Sequence, residues 1–100
     1  MKRYEDIDLE FKEAYVSDIK KEIIAFANTE GGVLYIGIQK DGTVVGVDNV
    51  DDVMLQVASS LKDSIKPDIM PFVQVRTVQK DDKDIVEVTV EVGASRPYYI

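Results

Sequence analysis

The sequence predicts an α/β (α+β) domain in which two helices pack on one face of a mixed sheet, with the element order βαββαββ. Three observations predict it. Apolar and polar residues alternate near both ends of the chain, as in strands with one buried face. Apolar residues recur twice at helical spacing, and each stretch is followed by glycine or proline. The 100 residues, 45% hydrophobic, fit a single domain spanning 1–100.

The first half of the chain predicts a strand, a helix and two further strands. Residues 6–12 alternate, with Leu9 and Phe11 on the face expected to be buried. Ser17 is the expected N-cap of a helix that two glycines stop near residue 31. The apolar run 33–38 indicates a central strand covered on both faces, and 43–47 is its expected hairpin partner.

The second half predicts a helix followed by a long hairpin. Asp48 or Asn49 caps the helix, and Pro67 ends it. Strands near 72–79 and 85–92 are joined by a polar turn. The chain then ends on two tyrosines and an isoleucine, which predicts that these residues are the N-terminal part of a longer protein.

The composition narrows the chemistry available. The chain has no cysteine and no histidine, which excludes disulfides and thiolate sites and leaves acid–base work to carboxylates, lysine or tyrosine. It has no apolar run of membrane-spanning length, and the composition suits the cytoplasm. The net charge is −7, from 12 basic and 19 acidic residues, so any binding to a polyanion needs local clusters of cations.

Glu5, Glu10 and Lys12 form the first candidate site. Glu10 and Lys12 share one face of the first strand, and Glu5 lies close before it. Two converging carboxylates could hold a divalent cation for phosphodiester cleavage, with the lysine on a phosphate. The alternative is a solvated strand face with an ion pair.

Two further candidates carry polar groups near turns. Asn28 and Thr29 precede Gly31 and Gly32, where free backbone N–H groups could face an anion; the alternative is local capping. Arg96 stands beside a tyrosine pair and offers a phosphate contact, or belongs to packing at a domain boundary. The glycines lack the lysine and hydroxyl residue of a phosphate-binding loop, so no ATPase motif is present.

An ordered set of motifs resembles the AlbA_2 family, also called the Schlafen AlbA_2 or divergent AAA-4 domain and often labelled DNA-binding. The resemblance rests on Glu10-Phe11-Lys12, Ala25-Phe26-Ala27-Asn28-Thr29-Glu30-Gly31-Gly32, Leu34-Tyr35-Ile36-Gly37-Ile38, Asp41-Gly42, Val45-Gly46-Val47 and Arg96-Pro97-Tyr98-Tyr99. It implies an Alba-like fold, a four-stranded sheet backed by two helices. It also implies a place at the N-terminus of transcriptional regulators or helicase-related proteins.

Some Schlafen relatives are RNA endonucleases, and the resemblance implies where their acids would lie. Glu5 and Glu10 match their two glutamates in position. The third acid follows the Ile-Gly strand in those relatives, whereas here Gln39 and Lys40 follow it and the next acid is Asp41. Glutamine binds a hard cation more weakly than a carboxylate does, so the balance moves from cleavage toward binding.

The resulting hypothesis is a module that binds DNA or RNA weakly, DNA being preferred, within a prokaryotic transcriptional regulator, without a cofactor. Its expected contacts are Lys12, Asn28, Thr29, Lys40 and Arg96, with Gly31 and Gly32 shaping the turn. Two alternatives stay open. One is a metal-dependent RNA endonuclease using Glu5, Glu10 and Asp41 with Mg²⁺ or Mn²⁺. The other is a homodimer or partner-docking module.

Overall fold

The fold is a four-stranded mixed sheet covered on one face by two helices. The computed structural model describes residues 9–94 and 96–100. Its strands are β1 (Leu9–Lys12), β2 (Gly32–Ile36), β3 (Val73–Lys80) and β4 (Lys83–Val90), in the spatial order β1-β2-β4-β3. β1 runs parallel to β2, and the other pairs are antiparallel. The helices are α1 (Ile19–Asn28) and α2 (Val50–Ser64), so the predicted two-layer fold is confirmed.

The core lies between the helices and one face of the two central strands. Leu34 of β2 is in register with Val88 of β4, and both side chains are fully buried. Ile23 of α1 and Leu61 of α2 are buried against the same cluster. Burial of such aliphatic side chains stabilises the fold by about 1.5–3 kcal/mol each. No helix within the described residues is long and apolar enough to cross a membrane.

The two helices begin in different ways. Asn49 caps α2, because its side-chain oxygen accepts a hydrogen bond from the Asp52 N–H at 3.2 Å, as predicted. The prediction that Ser17 caps α1 is wrong. That helix starts at Ile19, whose N–H donates to the backbone oxygen of Val16 at 3.1 Å. A backbone turn therefore takes the place of a side-chain cap.

The segment after β2 is less regular than predicted. β2 ends at Ile36, and Gly37 has a φ of +111°, which turns the chain away from the sheet. The segment 43–47 contributes a single antiparallel bridge, between Ile38 and Val44, in the place of a third strand. The order βαββαββ is kept, with this bridge as its third β segment. Val33 and Tyr35 are only half-buried, so the prediction that β2 is covered on both faces is wrong.

β1 presents the opposite faces from those expected. Phe11 is in register with Tyr35 on the face away from the helices, whereas Lys12 is in register with the buried Ile36 on the helix side. Leu9 and Phe11 are half-buried and are not in the core, which corrects the sequence interpretation. The reason is the position of β1 in the sheet. β1 is one of the two edge strands, and the helices pack mainly on β2, β4 and β3, so charged side chains on its helix side still reach water.

The C-terminal residues fasten the ends of the two helices. The Asn28 side chain, at the end of α1, donates to the backbone carbonyl oxygen of Tyr98 at 3.1 Å and accepts from the Tyr98 backbone N–H at 2.8 Å. Tyr99 exchanges two backbone hydrogen bonds with Lys66, just after α2, at 2.7 and 2.8 Å. The Tyr98 ring is buried, and it occupies the space that a side chain at Gly93 would fill.

The turn between α1 and β2 depends on its first glycine. Gly31 has a φ of +82°, and its N–H donates to the Phe26 oxygen at 2.7 Å, which ends the helix. A Cβ on Gly31 would lie 2.6 Å from the Val90 oxygen. Gly32 is the first residue of β2 and is in register with Val90. The turn thus brings the end of α1 directly against β4.

We expect Gly31→Ala to destabilise the protein much more than Gly42→Ala. Both residues have positive φ, which costs an alanine about 1–2 kcal/mol, but a Cβ on Gly42 meets no atom of the described residues within 4 Å. The additional clash with Val90 should raise the loss at Gly31 to about 3 kcal/mol or more. The free energy of unfolding from urea titration measures both. Equal losses would show that the close approach to β4 does not matter.

We expect Asn28→Ala to lower the free energy of unfolding by about 2–3 kcal/mol, because two hydrogen bonds to the Tyr98 backbone are lost. Thr29→Ala is the control. The exposed Thr29 hydroxyl bonds only within its own helix turn, so its loss should cost about 0.5 kcal/mol or less. Amide hydrogen exchange at Tyr98 and Tyr99 should accelerate in Asn28→Ala alone. Unchanged exchange there would contradict the fastening role of Asn28.

Candidate nucleic-acid interface

Four charged side chains meet on the helix side of β1; we call Glu10, Lys12, Glu22 and Lys40 the charged edge. Lys40, from the turn after β2, places its Nζ 3.0 Å from Glu10 Oε2. Lys12 Nζ lies 3.6 Å from the same oxygen and 3.3 Å from Glu22 Oε2 on α1. Two of the predicted nucleic-acid contacts are thus brought together around one predicted metal ligand. The four charges sum to zero.

The two lysines of the charged edge differ in exposure. The Lys40 side chain is 77% exposed, whereas that of Lys12 is 20% exposed and lies between two carboxylates. Lys12 Nζ lies on Glu22 Oε2, whereas the other oxygen of that carboxylate, Oε1, is buried and has no hydrogen-bond partner among the described residues. Lys40 is therefore the more accessible cation of this cluster.

A cavity of about 500 Å³ opens beside the charged edge, lined by Leu9, Glu10, Phe11, Lys40 and Asp41. Asp41 Oδ1 accepts a hydrogen bond from the Thr43 N–H at 2.9 Å. This bond lowers the pKa of the Asp41 carboxyl below its usual value. Glu10 and Asp41 line the same cavity, and they are the two predicted catalytic acids that lie within the described residues.

The described residues do not fit a divalent cation at this cavity. Glu10 Oε2 is occupied by Lys40, and Asp41 is held in its own turn. Gln39 reaches only toward Glu13, at 3.5 Å. Within 9–94 and 96–100, no group of three or more acids, histidines or cysteines is close enough to hold a metal ion. Glu5 lies outside the described residues.

The residues before the glycine turn already have hydrogen-bond partners. Thr29 Oγ1 donates to the Ala25 oxygen at 2.7 Å, which is local capping. Asn28 binds the Tyr98 backbone, and the Thr29 and Gly31 N–H groups both donate to Phe26. Arg96 is exposed and lines a cavity of about 460 Å³ with Asn28, Ala94 and Pro97. Asn28, Thr29 and Arg96 stay predictions as nucleic-acid contacts.

The face of the sheet away from the helices carries a group of residues that the sequence interpretation missed. Phe11, Tyr35, Glu87 and Arg76 lie in register across all four strands, and we call them the aromatic row. The Tyr35 hydroxyl donates to Glu87 Oε2 at 2.9 Å, and Arg76 Nε donates to Glu87 Oε1 at 2.6 Å. The ring centroids of Phe11 and Tyr35 are 6.2 Å apart, with the planes tilted by 48°.

Glu87 is the best-shielded charge of this face, only 8% exposed. Both of its oxygens are hydrogen-bonded, which offsets the cost of burying a carboxylate. Burial, followed by the hydrogen bond to Glu87, raises the pKa of the Tyr35 hydroxyl above its usual value. The neutral hydroxyl is thus held as a donor to the carboxylate.

One sequence signal could have identified this row. The hairpin turn consists of Asp81 and Asp82, both with positive φ, as a two-residue hairpin turn requires. That turn pairs Lys80 with Lys83, and counting back along the strands then pairs Arg76 with Glu87. Nothing local in the sequence pairs Tyr35 with Glu87, because β2 and β4 are distant along the chain.

Comparison with known proteins places this geometry among related folds. The N-terminal domain of a protein from Nitrosomonas europaea, named as related to the ATP-dependent DNA helicase RecG, superposes with a TM-score of 0.73 at 21% identity. The match covers 99% of this chain and 72% of that one. The DIP2311 protein of Corynebacterium diphtheriae gives 0.67 at 20% identity, with 98% of this chain and 20% of that chain covered. At these identities the likeness shows the fold alone.

A search of curated proteins found no significant match. The family model for the Schlafen AlbA_2 domain, in contrast, matches residues 5–100. That range includes the charged edge, the glycine turn and the fastened C-terminal residues. The chain therefore belongs to the Schlafen AlbA_2 family.

Proposed function

We propose that this domain binds nucleic acid, DNA in preference, as a module of a prokaryotic transcriptional regulator in the cytoplasm. The single observation that carries the proposal is the convergence of Lys40 and Lys12 on Glu10 beside an open cavity. It brings the exposed Lys40 and the less exposed Lys12 to one edge of the sheet, within a cluster whose four charges sum to zero. Family membership and the likeness to the N-terminal domain of a helicase-related protein support it.

The electrostatics predict weak, salt-sensitive binding. A net charge of −7 repels a polyanion, so attraction depends on the few cations that reach a phosphate. Lys40 is the more accessible lysine of the charged edge, and when it turns toward a phosphate, Lys12 alone faces the Glu10 and Glu22 carboxylates, which keeps the attraction weak. Arg96 is an exposed cation outside this cluster. With one to three phosphate contacts, the logarithm of the binding constant should fall with that of salt with a slope of roughly −1 to −3.

We expect Lys40→Glu to weaken binding to a 30-base-pair duplex roughly tenfold at 50 mM salt, and to make the salt slope shallower by about one, because one phosphate contact is lost. Fluorescence anisotropy with a labelled duplex, from 20 to 200 mM salt, measures both quantities.

Lys62→Glu is the matched control, since it makes the same change of charge. Lys62 is an exposed residue in the last turn of α2, which packs on β3 and β4 rather than on the edge strand β1. Its substitution should leave the salt slope unchanged. Equal weakening by both variants would assign the effect to net charge alone. No binding of the unmodified chain to DNA or RNA at the lowest salt would overturn the proposed function.

The endonuclease alternative makes a separate prediction. Because Lys40 occupies the Glu10 carboxylate, we expect structured RNA incubated with Mg²⁺ or Mn²⁺ to be cleaved no faster by the unmodified chain than by Glu10→Ala. Gel electrophoresis of end-labelled RNA measures the rate. Cleavage that depends on both the metal ion and Glu10 would establish the nuclease and contradict a purely binding role.

A further inference from the structure

The aromatic row lies on the face of the sheet that neither helix covers. We propose that this face binds unpaired bases of single-stranded nucleic acid, with bases stacked on Phe11 and Tyr35 and the backbone held by Arg76. The inference rests on the proposed function and names the form of nucleic acid that the domain prefers.

The two rings are positioned for stacking before any ligand arrives. They belong to adjacent strands, with centroids 6.2 Å apart, and both are half-buried, so each keeps an accessible surface. The Tyr35 hydroxyl is bonded to Glu87, which fixes the orientation of its ring. A ring that is already fixed loses little conformational entropy on binding. Aromatic side chains on a sheet face are a recurrent platform for unpaired bases.

Cations flank the rings on both sides. Arg76 uses its Nε to hold Glu87, and its side chain is still 65% exposed, so the rest of the guanidinium reaches solvent. On the other side, Lys40 lines the cavity that Phe11 also lines, and it is 77% exposed. A strand that crosses the sheet along the row meets the two rings, the shielded Glu87 carboxylate and then Arg76, and Lys40 lies beyond Phe11 at the β1 edge of the sheet. Arginine and aromatic rings are the groups that nucleic acids contact most readily.

The acid within the row does not oppose this binding. Glu87 is 8% exposed, and Arg76 and Tyr35 bond both of its oxygens. Its charge is therefore shielded from a ligand above the sheet and offset by the adjacent guanidinium.

Single-stranded nucleic acid fits this face better than a protein does. Leu9, Phe11, Val33 and Tyr35 form the apolar part of this face on β1 and β2, and Val78 and the buried Ile85 extend it on β3 and β4. The polar side chains of Gln74, Arg76, Glu87 and Thr89 lie on the same face, which makes it less apolar than a stable protein interface. A second copy of the chain would bring another net charge of −7 against the first. A duplex keeps its bases stacked internally, so it cannot offer them to the rings.

The test compares a labelled 12-nucleotide oligothymidylate with a 12-base-pair duplex by anisotropy at low salt. We expect Phe11→Leu to weaken single-strand binding at least about fivefold, since one stacked base is lost, and to change duplex binding less than about twofold. Tyr99→Leu is the matched control, because Tyr99 is an aromatic residue that is 58% exposed and lies outside the sheet. It should change neither affinity.

A fluorescent variant gives a direct readout that does not depend on loss of function. The chain has no tryptophan, so Phe11→Trp carries a single reporter on the platform. Oligothymidylate should quench its emission by base stacking, and duplex should not. If Phe11→Leu fails to fold, as judged by circular dichroism, the Phe11→Trp titration decides the question.

The possible failures are distinguishable. If the unmodified chain binds neither form, the proposed function fails and this inference fails with it. If it binds both forms equally, with Phe11→Leu unchanged and Phe11→Trp unquenched, only this inference fails. If light scattering shows a dimer that Phe11→Leu dissociates, a second copy occupies the face and the inference is overturned.

Discussion

The antiparallel pairing of β2 with β4 is the constraint on which the rest of the molecule depends. These two strands are the centre of the sheet, and their register sets Leu34 against Val88 on the side where both helices pack. A shift by one residue would turn these side chains to the other face and put Tyr35 and Glu87 beneath the helices. The same register therefore builds the core on one face and the aromatic row on the other.

The glycine turn makes that pairing possible. Gly31 lets the chain reverse from α1 into β2 while its backbone passes close to the Val90 oxygen. The residue three positions earlier, Asn28, holds the C-terminal residues against the same helix end. The stretch 28–32 has the composition of a polar binding loop, but its main role is structural. Its hydrogen-bonding groups are mostly committed to the backbone.

The candidate site is concentrated around β1, beside the strands on which the helices mainly pack. The edge strand β1 carries charges on its helix side and an aromatic ring on its open side, and both surround the cavity beside Lys40. Lys40 at 3.0 Å from Glu10 fills the place where a nuclease would need an empty carboxylate. Within the described residues, this carboxylate is therefore engaged by a lysine.

The sequence by itself determined the fold class, the two helices, a cap at Asp48 or Asn49 and the family. These follow from short-range patterns, because periodicity, capping residues and ordered motifs are local properties of the chain. The sequence also indicated Glu10, Lys12 and Lys40 as candidate site residues, although the orientation predicted for β1 was wrong. Alternation reveals that a strand has two faces, but not which of them the helices will cover.

Only the tertiary structure decided which face of β1 the helices cover and which residues far apart in the sequence come into contact. The pairing of Tyr35 with Glu87 joins residues 52 positions apart, and that of Asn28 with Tyr98 joins residues 70 apart. No local pattern encodes such contacts. These contacts form when the strands pair and the helices pack on the more apolar face of the sheet. The burial of aliphatic surface there outweighs the local alternation of apolar and polar residues in the four-residue strand β1.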